Sequence, residues 1–184
     1  MTGWLQGLLA SFLVVATPAP EPVLVGPASG NAYLSEAAVI DVLTPLVLKW
    51  EGTKTEAYLD IVGVPTICTG HIEGVYLGMV KTAAECEEML RVDLLAYHRA
   101  LLPAFTPDTR ATRLHAKRHA AFDDLAYNVG ISGTAKSTAM RRLNAGEVRG
   151  ACEAIGWFNK AGGRVIRGLI NRRSDDTALC LEGL

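Results

Sequence analysis

Two carboxylate residues flank the start of a β-rich segment and are of the type that glycoside cleavage requires. Glu51 closes an apolar stretch, and Asp60 follows it across a polar one. Glycoside cleavage needs one carboxylic acid to protonate the leaving oxygen and a second group to handle the developing positive charge or the water. Burial at the end of the apolar stretch would keep Glu51 protonated, whereas Asp60 in its polar context would stay ionised. The pair is therefore a candidate acid and charge stabiliser.

Thr66 is the next residue of this region that could take part in the same chemistry. Its hydroxyl group could orient a water molecule, but it is too weak a base to act alone. The residue types by themselves leave a plain alternative open. In that alternative, Glu51 only ends a helix, Asp60 only shapes a turn and Thr66 only belongs to a strand.

The elements that must position these residues can be read from the surrounding pattern. Residues 53–72 are rich in Val, Ile, Thr and Tyr and are interrupted by Gly and Pro, which predicts a strand–turn–strand unit. It is the one region where we expect β-structure. Before it, Ser35 is typical of the N-cap of a short helix. We expect Thr44-Pro45 to restart that helix and Gly52 to end it after Glu51.

The rest of the chain has the pattern of helices. Thr82-x-x-Glu85 is a capping box, and apolar residues recur after it at helical spacing. Further helices are predicted over residues 113–129, 138–143, 147–158 and 165–181, the last with a break near Gly168. The sequence thus predicts a mainly helical α+β fold, in which one helix joins a small helix-plus-hairpin lobe to a larger helical lobe.

The spacing of the candidate residues resembles that of phage-type lysozymes of glycoside hydrolase family 24. Eight residues separate Glu51 from Asp60 and five separate Asp60 from Thr66, as in that family. The flanking residues follow the family pattern as well: Gly52, Tyr58, Gly63, Ile67, Gly70 and His71. The resemblance implies a two-lobed lysozyme fold, with Glu51 as general acid, Asp60 as electrostatic stabiliser and water holder, and Thr66 positioning the attacking water. It implies a structural role for His71.

This resemblance covers roughly residues 45–182. Residues 125–130 look like the inner helix of the family's larger lobe, and the regions around 137–147 and 157–173 also match. It implies that an arginine from the last region pairs with Glu51, and Arg172 and Arg173 both remain candidates. It also makes Tyr127 and Asn128 candidate cleft residues, with a core aromatic ring and a helix cap as the alternative.

The chain has four cysteines: Cys68, Cys86, Cys152 and Cys180. They fit two disulfides in an exported protein or four buried thiols otherwise. Cys68, His71 and Cys86 hint at zinc, but paired Cys-x-x-Cys motifs are missing, and we expect neither a metal nor another cofactor. The pattern resembles the exported branch of the family. Local pairing there suggests Cys68–Cys86 and Cys152–Cys180, although four cysteines allow three connectivities.

Residues 1–34 differ from the remainder, so we divide the chain into this segment and a catalytic domain of residues 35–184. The segment carries one charged residue, Glu21, and an apolar run over residues 4–17. A helix over residues 2–17 would be about 24 Å long, shorter than the bilayer core of about 30 Å. A signal-peptide core, a weakly held uncleaved segment and a buried or disordered extension all remain open.

The family resemblance extends to this segment. It implies a signal-arrest-release segment, which is exported, held loosely in the inner membrane and later released into the periplasm. Basic residues at the start, which would strengthen a membrane assignment, are missing. The alternative is an enzyme that stays in the host cytoplasm until a holin opens a pore.

The charge distribution bears on the partner. Residues 1–100 carry 5 Lys and Arg against 11 Asp and Glu, whereas the remaining residues carry 13 against 8. The basic half could face an anionic polymer or could simply be solvated. Nucleic acid is not expected, because Arg141 and Arg142 lack interleaved aromatic residues. We therefore expect a monomeric endolysin that cleaves the β-1,4 bond between N-acetylmuramic acid and N-acetylglucosamine in peptidoglycan. The alternative is a catalytically weak wall-binding module.

Overall fold

The computed structural model describes residues 35–184, and the expectations for residues 1–34 lie outside this range. The described residues form a mainly helical fold with short strands, which confirms the predicted class. The helices are α1 Glu36–Glu51, α2 Ala83–Leu101, α3 Pro107–Thr112, α4 Ala116–Val129, α5 Ile131–Ala135, α6 Thr138–Asn144, α7 Val148–Ile155 and α8 Arg167–Leu181. The strands are β1 Lys54–Leu59, β2 Pro65–Cys68, β3 Lys160–Ala161 and β4 Arg164–Val165.

Helix α1 is continuous, so the expected restart at Thr44-Pro45 is wrong. Ser35 is the N-cap, and its side chain accepts a hydrogen bond from the backbone N–H of Ala38. Pro45 lies on the exposed face, and the Thr44 hydroxyl donates to the Ile40 carbonyl over 2.7 Å. A proline inside a helix costs about 3 kcal/mol. Packing offsets this cost, because the other face of α1 is buried in an apolar cluster that comprises Val39, Ile40, Leu43, Val47, Leu90, Leu94 and Ala120.

Strands β1 and β2 form the antiparallel hairpin that the sequence predicts. Tyr58 lies opposite Thr66, and Leu59 lies opposite Pro65. Helix α2 begins against this hairpin, where Cys86 packs with Ile67 and Cys68. The predicted capping box is present, with Thr82 and Glu85 satisfying each other's backbone N–H groups. The far end of α2 enters the core of the helical lobe, so α2 joins the two lobes.

The helical lobe differs from the sequence-based expectation at three boundaries. The expected helix from Arg113 starts only at α4, where the His115 side chain accepts from the Arg118 N–H. Helix α7 ends at Ile155, and the following residues form a second small hairpin, β3–β4, which the sequence did not predict. Helix α8 runs without a break at Gly168. These differences arise at short segments, where local propensity is weak and tertiary packing decides.

Two disulfides connect the elements around the core, and both expected pairings are confirmed. Cys68–Cys86 joins β2 to α2, with Cα atoms 5.0 Å apart. Cys152–Cys180 joins α7 to α8, with Cα atoms 5.5 Å apart. All four cysteines are buried. The hairpin is therefore covalently fixed to the helix that connects the lobes.

A buried polar group, His98, His119 and Asp123, lies where α2 packs on α4. His98 Nδ1 is 2.8 Å from Asp123 Oδ2, and the two histidine rings are in tilted contact, with centroids 4.3 Å apart and an interplanar angle of 45°. Burial, aided by the neighbouring His98, lowers the pKa of His119 to about 3. Burial also raises the pKa of Asp123 to about 6, although its hydrogen bond with His98 opposes this. The core therefore contains groups whose protonation is linked to folding.

We predict that His119 makes the fold acid-sensitive. Its folded-state pKa lies below the unfolded value of 6.5, so the unfolded chain gains a proton first as the pH falls from 6.5 towards 3, and stability is lost. Asp123 acts in the opposite sense, because its raised pKa favours the protonated folded state between about pH 6 and pH 4. Comparing wild type with His119→Gln isolates the histidine. Urea unfolding at pH 6.5 and 4.5 should show that the variant loses less stability, by about 2 kcal/mol. Equal losses in both proteins would contradict this prediction.

Candidate active site

Glu51 is the last residue of α1 and faces an open cleft. Gly52 ends the helix with a φ of 69°, and its N–H donates to the Leu48 carbonyl over 3.1 Å. A positive φ is tolerated by glycine without strain, so this residue fixes where the helix stops. The Glu51 side chain is 35% exposed. The expectation that Glu51 is buried is therefore wrong, because the apolar face of α1 points away from the carboxyl group.

Arg172 is the partner of Glu51, which decides between the two arginines that the sequence left open. Its Nη1 donates to Glu51 Oε1 over 2.5 Å. Its Nε and Nη2 donate to Asp124 Oδ2 and Oδ1 over 2.9 and 2.7 Å. One buried guanidinium group thus joins a carboxylate from α1 to a carboxylate from α4. Such a bidentate pair fixes the position of the arginine as well as its charge.

Arg173 lies behind this pair and does not replace it. Its Nη2 donates to Asp124 Oδ2 over 3.1 Å, and its Nε lies 2.8 Å from Asp176 Oδ2. Both Arg173 and Asp176 are buried. The sequence-based prediction did not include Asp124 or Asp176. The available signal was the pair Asp123-Asp124 in an otherwise apolar stretch of α4, where buried acidic residues need cationic partners.

The electrostatics of Arg172 reflect its two carboxylate partners. Burial opposes the charge of its guanidinium group, but hydrogen bonding and charge attraction from Asp124, and then from Glu51, outweigh this and raise its pKa. Arg172 therefore stays charged near neutral pH. It presents a fixed positive charge to Glu51 at the edge of the cleft.

The cleft beside Glu51 has a volume of about 540 Å³ and includes both predicted cleft residues, Tyr127 and Asn128. The Tyr127 hydroxyl donates to the Thr69 carbonyl over 2.8 Å, and its ring contacts that of Tyr97. Burial, and then the charge of Glu51, raise the pKa of Tyr127. Tyr127 thus lines the cleft as a neutral phenol and also anchors the hairpin lobe to α4.

His71 also lines this cleft, but both of its ring nitrogens are engaged by the protein. Nδ1 is 2.8 Å from Asp93 Oδ2, and Nε2 is 3.0 Å from the Glu73 carbonyl oxygen. Asp93 belongs to α2, so this contact ties the end of the hairpin to the connecting helix.

Asp60 and Thr66 lie on the hairpin, outside the residues that line the Glu51 cleft in the described structure. Asp60 Oδ1 accepts from the N–H groups of Val62 and Val64 over 2.9 and 2.8 Å. The buried Thr66 hydroxyl donates to the Val64 carbonyl over 3.0 Å. Both side chains therefore hold the hairpin turn in shape. A smaller cavity of about 120 Å³ connects Glu51 to Tyr58, the residue opposite Thr66.

The two lobes, the cleft between them and an acidic residue at a helix end are the arrangement of the lysozyme fold. Residues 48–176 match the Phage lysozyme family. The chain belongs to this family.

Similar sequences and similar solved structures agree with this assignment. The chain is 37% identical over 156 residues to a SAR-endolysin of Pseudomonas phage phiKMV, covering 83% of this chain and 93% of that protein. It is 35% identical over 134 residues to a SAR-endolysin of Enterobacteria phage PA-2, covering 72% and 78%. Among solved structures, it is similar to an endolysin from Escherichia coli O157:H7 phage FAHEc1. The TM-score is 0.65 at 31% identity, covering 84% of this chain and 97% of that one.

Proposed function

We propose that this lysozyme cleaves the β-1,4 bond between N-acetylmuramic acid and N-acetylglucosamine with Glu51 as the general acid. The observation that carries the proposal is the Glu51–Arg172 pair, which holds a solvent-facing carboxyl group at the edge of a cleft. Fixing the carboxyl group in this way aims it at a bound glycosidic oxygen before the reaction begins. The protonated form of Glu51 then donates to the leaving oxygen.

The hairpin supplies the second half of this chemistry. Asp60 uses one oxygen to hold its turn, which leaves the other oxygen outside these contacts to stabilise positive charge and to hold the water. Thr66 directs its own proton to the Val64 carbonyl, so its oxygen would act as the acceptor in a hydrogen bond from that water. Water attack from the face opposite to Glu51 gives inversion at the sugar carbon.

The cleft takes the glycan strand of bacterial peptidoglycan. Tyr127 offers a flat apolar surface next to the acid, and Asn128 offers an amide group that can bind sugar hydroxyl or acetamido groups. The acid, its arginine and these cleft residues all come from one chain, which supports action as a monomer. A catalytically weak wall-binding module of the same fold is less favoured, because a pure binding module has no need for an acid held by a buried arginine.

The route to the cell wall is the second part of the proposal. The similarity to proteins named SAR-endolysins supports export of this chain to the host periplasm for lysis, with residues 1–34 as a transient inner-membrane tether. Within residues 35–184, the helices are too short or too polar to cross a membrane. Release of the catalytic domain, residues 35–184, from the tether would then give it access to peptidoglycan.

The central prediction is that Glu51→Gln abolishes clearing of purified peptidoglycan. The glutamine keeps the shape of the side chain but has no proton of suitable acidity, so a loss of at least about a hundredfold is expected. Turbidity loss is the measurement. Glu56→Gln is the matched control, because Glu56 is an exposed residue of the neighbouring strand β1, and it should clear at the wild-type rate. Clearing by Glu51→Gln at the rate of this control would refute the role of Glu51.

The export proposal predicts that residues 1–34 carry a fused reporter out of the cytoplasm. A reporter that is active only in the periplasm should give signal when fused to this segment in a bacterial host. The control carries Leu9→Asp and Val14→Asp, which interrupt the apolar run and should silence the reporter, because each charge makes entry into the bilayer unfavourable. A silent wild-type fusion would contradict export and favour release through a pore made by another protein.

A further inference from the structure

Asp124 lies directly behind the arginine that holds Glu51. It is fully buried in α4, and both of its oxygens accept hydrogen bonds from Arg172. One of these oxygens also accepts from Arg173. The Arg172 guanidinium group is thus placed between two carboxylates, one exposed to the cleft and one enclosed in the core.

The position of Asp124 behind Arg172 bears on a conflict between two requirements on Glu51. A positive charge beside a carboxyl group favours its ionised form, whereas a general acid must carry its proton when the substrate is bound. A second negative charge on the far side of Arg172 would reduce the effect of the arginine on Glu51.

We propose that Asp124 is a positioning residue that holds Arg172 in place and offsets its charge, and so sets the alkaline limit of peptidoglycan clearing. The proposal rests on the proposed role of Glu51 as the general acid. Asp124 contacts Arg172 and not the cleft, so it acts through the arginine. The substrate need not touch it.

The ionisable groups next to Asp124 make its negative charge more important for Arg172 and Arg173. Burial, and then the charge of Asp124, raise the pKa of Asp176, which makes Asp176 a poor counter-charge for Arg173. Asp124 therefore serves as the direct carboxylate partner of both guanidinium groups. Removing its charge would leave two buried cations behind Glu51.

Other titratable groups face Glu51 from the surrounding elements and must be held constant in any test. The exposed Lys49 lies on the same helix and pairs with Asp175 of α8. The groups that line the two cavities next to Glu51 are His71, Glu73, Asp93, Tyr97 and Tyr127 on one side and Lys54 and Tyr58 on the other. These groups do not contact Asp124, so a substitution there changes the charge behind Arg172 without removing any of them.

The test is the pH profile of peptidoglycan clearing by wild type, Asp124→Asn, Asp124→Glu and Glu153→Gln between pH 5 and pH 9. Asp124→Asn should move the alkaline limb of the profile to lower pH by roughly one unit, as expected when a neighbouring charge is removed near a partly exposed carboxyl group. Asp124→Glu keeps the charge and should keep the limb at the wild-type pH. Glu153→Gln removes an equal charge from an exposed site on α7 and should also leave the limb in place.

The outcomes separate this proposal from the proposed function. An Asp124→Asn profile that is lower at every pH with an unmoved limb would show a purely structural role and overturn the inference. A Glu51→Gln variant that still clears peptidoglycan would instead overturn the role of Glu51 itself. Thermal melts check that each variant is folded. If Asp124→Asn is not folded, the double variant Asp124→Asn with Arg173→Gln is the second test, because it removes one charge of each sign. Arg172 still loses its direct partner in this variant. The alkaline limb should therefore still move to lower pH, by a smaller amount.

Discussion

The contact on which the site depends is the guanidinium group of Arg172, enclosed between Glu51 and Asp124. It joins the end of α1 to the middle of α4 and the middle of α8, so three helices must be in register before the acid is in place. Arg172 is only 4% exposed. A buried charge of this kind is tolerated only when its hydrogen bonds are satisfied, which the two carboxylates achieve together. The same atoms therefore hold the fold together and position the acid.

The opposite wall of the cleft depends on a different set of constraints. The Cys68–Cys86 disulfide, the His71–Asp93 contact and the Tyr127–Thr69 hydrogen bond each attach the hairpin to a helix of the other lobe or of the connection. Gly52 separates α1 from β1 by ending the helix sharply. The hairpin that carries Asp60 and Thr66 is thus fixed relative to Glu51 by covalent and polar contacts rather than by a large apolar interface.

The features that the sequence could predict are those set by residues close together along the chain. The hairpin, the end of α1 at Gly52 and the capping box at Thr82 depend on neighbouring residues, and all three are present. The position of Glu51 in the cleft was misjudged, because apolar neighbours in sequence do not reveal which side of the helix faces the core. Continuity through Pro45 was also missed, since it depends on packing of the buried face of α1. Asp124 could not be assigned, because its partner lies 48 residues further on.

The family resemblance supplied what local pattern could not, namely that an arginine from the C-terminal region approaches Glu51. In the structure, Arg172 and not Arg173 contacts Glu51, and the carboxylate of Asp124 lies behind Arg172. The structure also showed that Asp60 and Thr66 hold the turn on which they lie, in addition to their proposed roles. Residues of an active site on such a small hairpin must stabilise the hairpin as well, because few other side chains are available to do so.

We propose that this chain hydrolyses the bond after N-acetylmuramic acid with water as the attacking group. The most direct test is digestion of purified peptidoglycan in water enriched in oxygen-18, followed by mass spectrometry of the soluble fragments. Hydrolysis at this bond should give fragments that end in reducing N-acetylmuramic acid carrying one oxygen-18 atom. Fragments that end in 1,6-anhydro-N-acetylmuramic acid without the label, or in reducing N-acetylglucosamine, would contradict it.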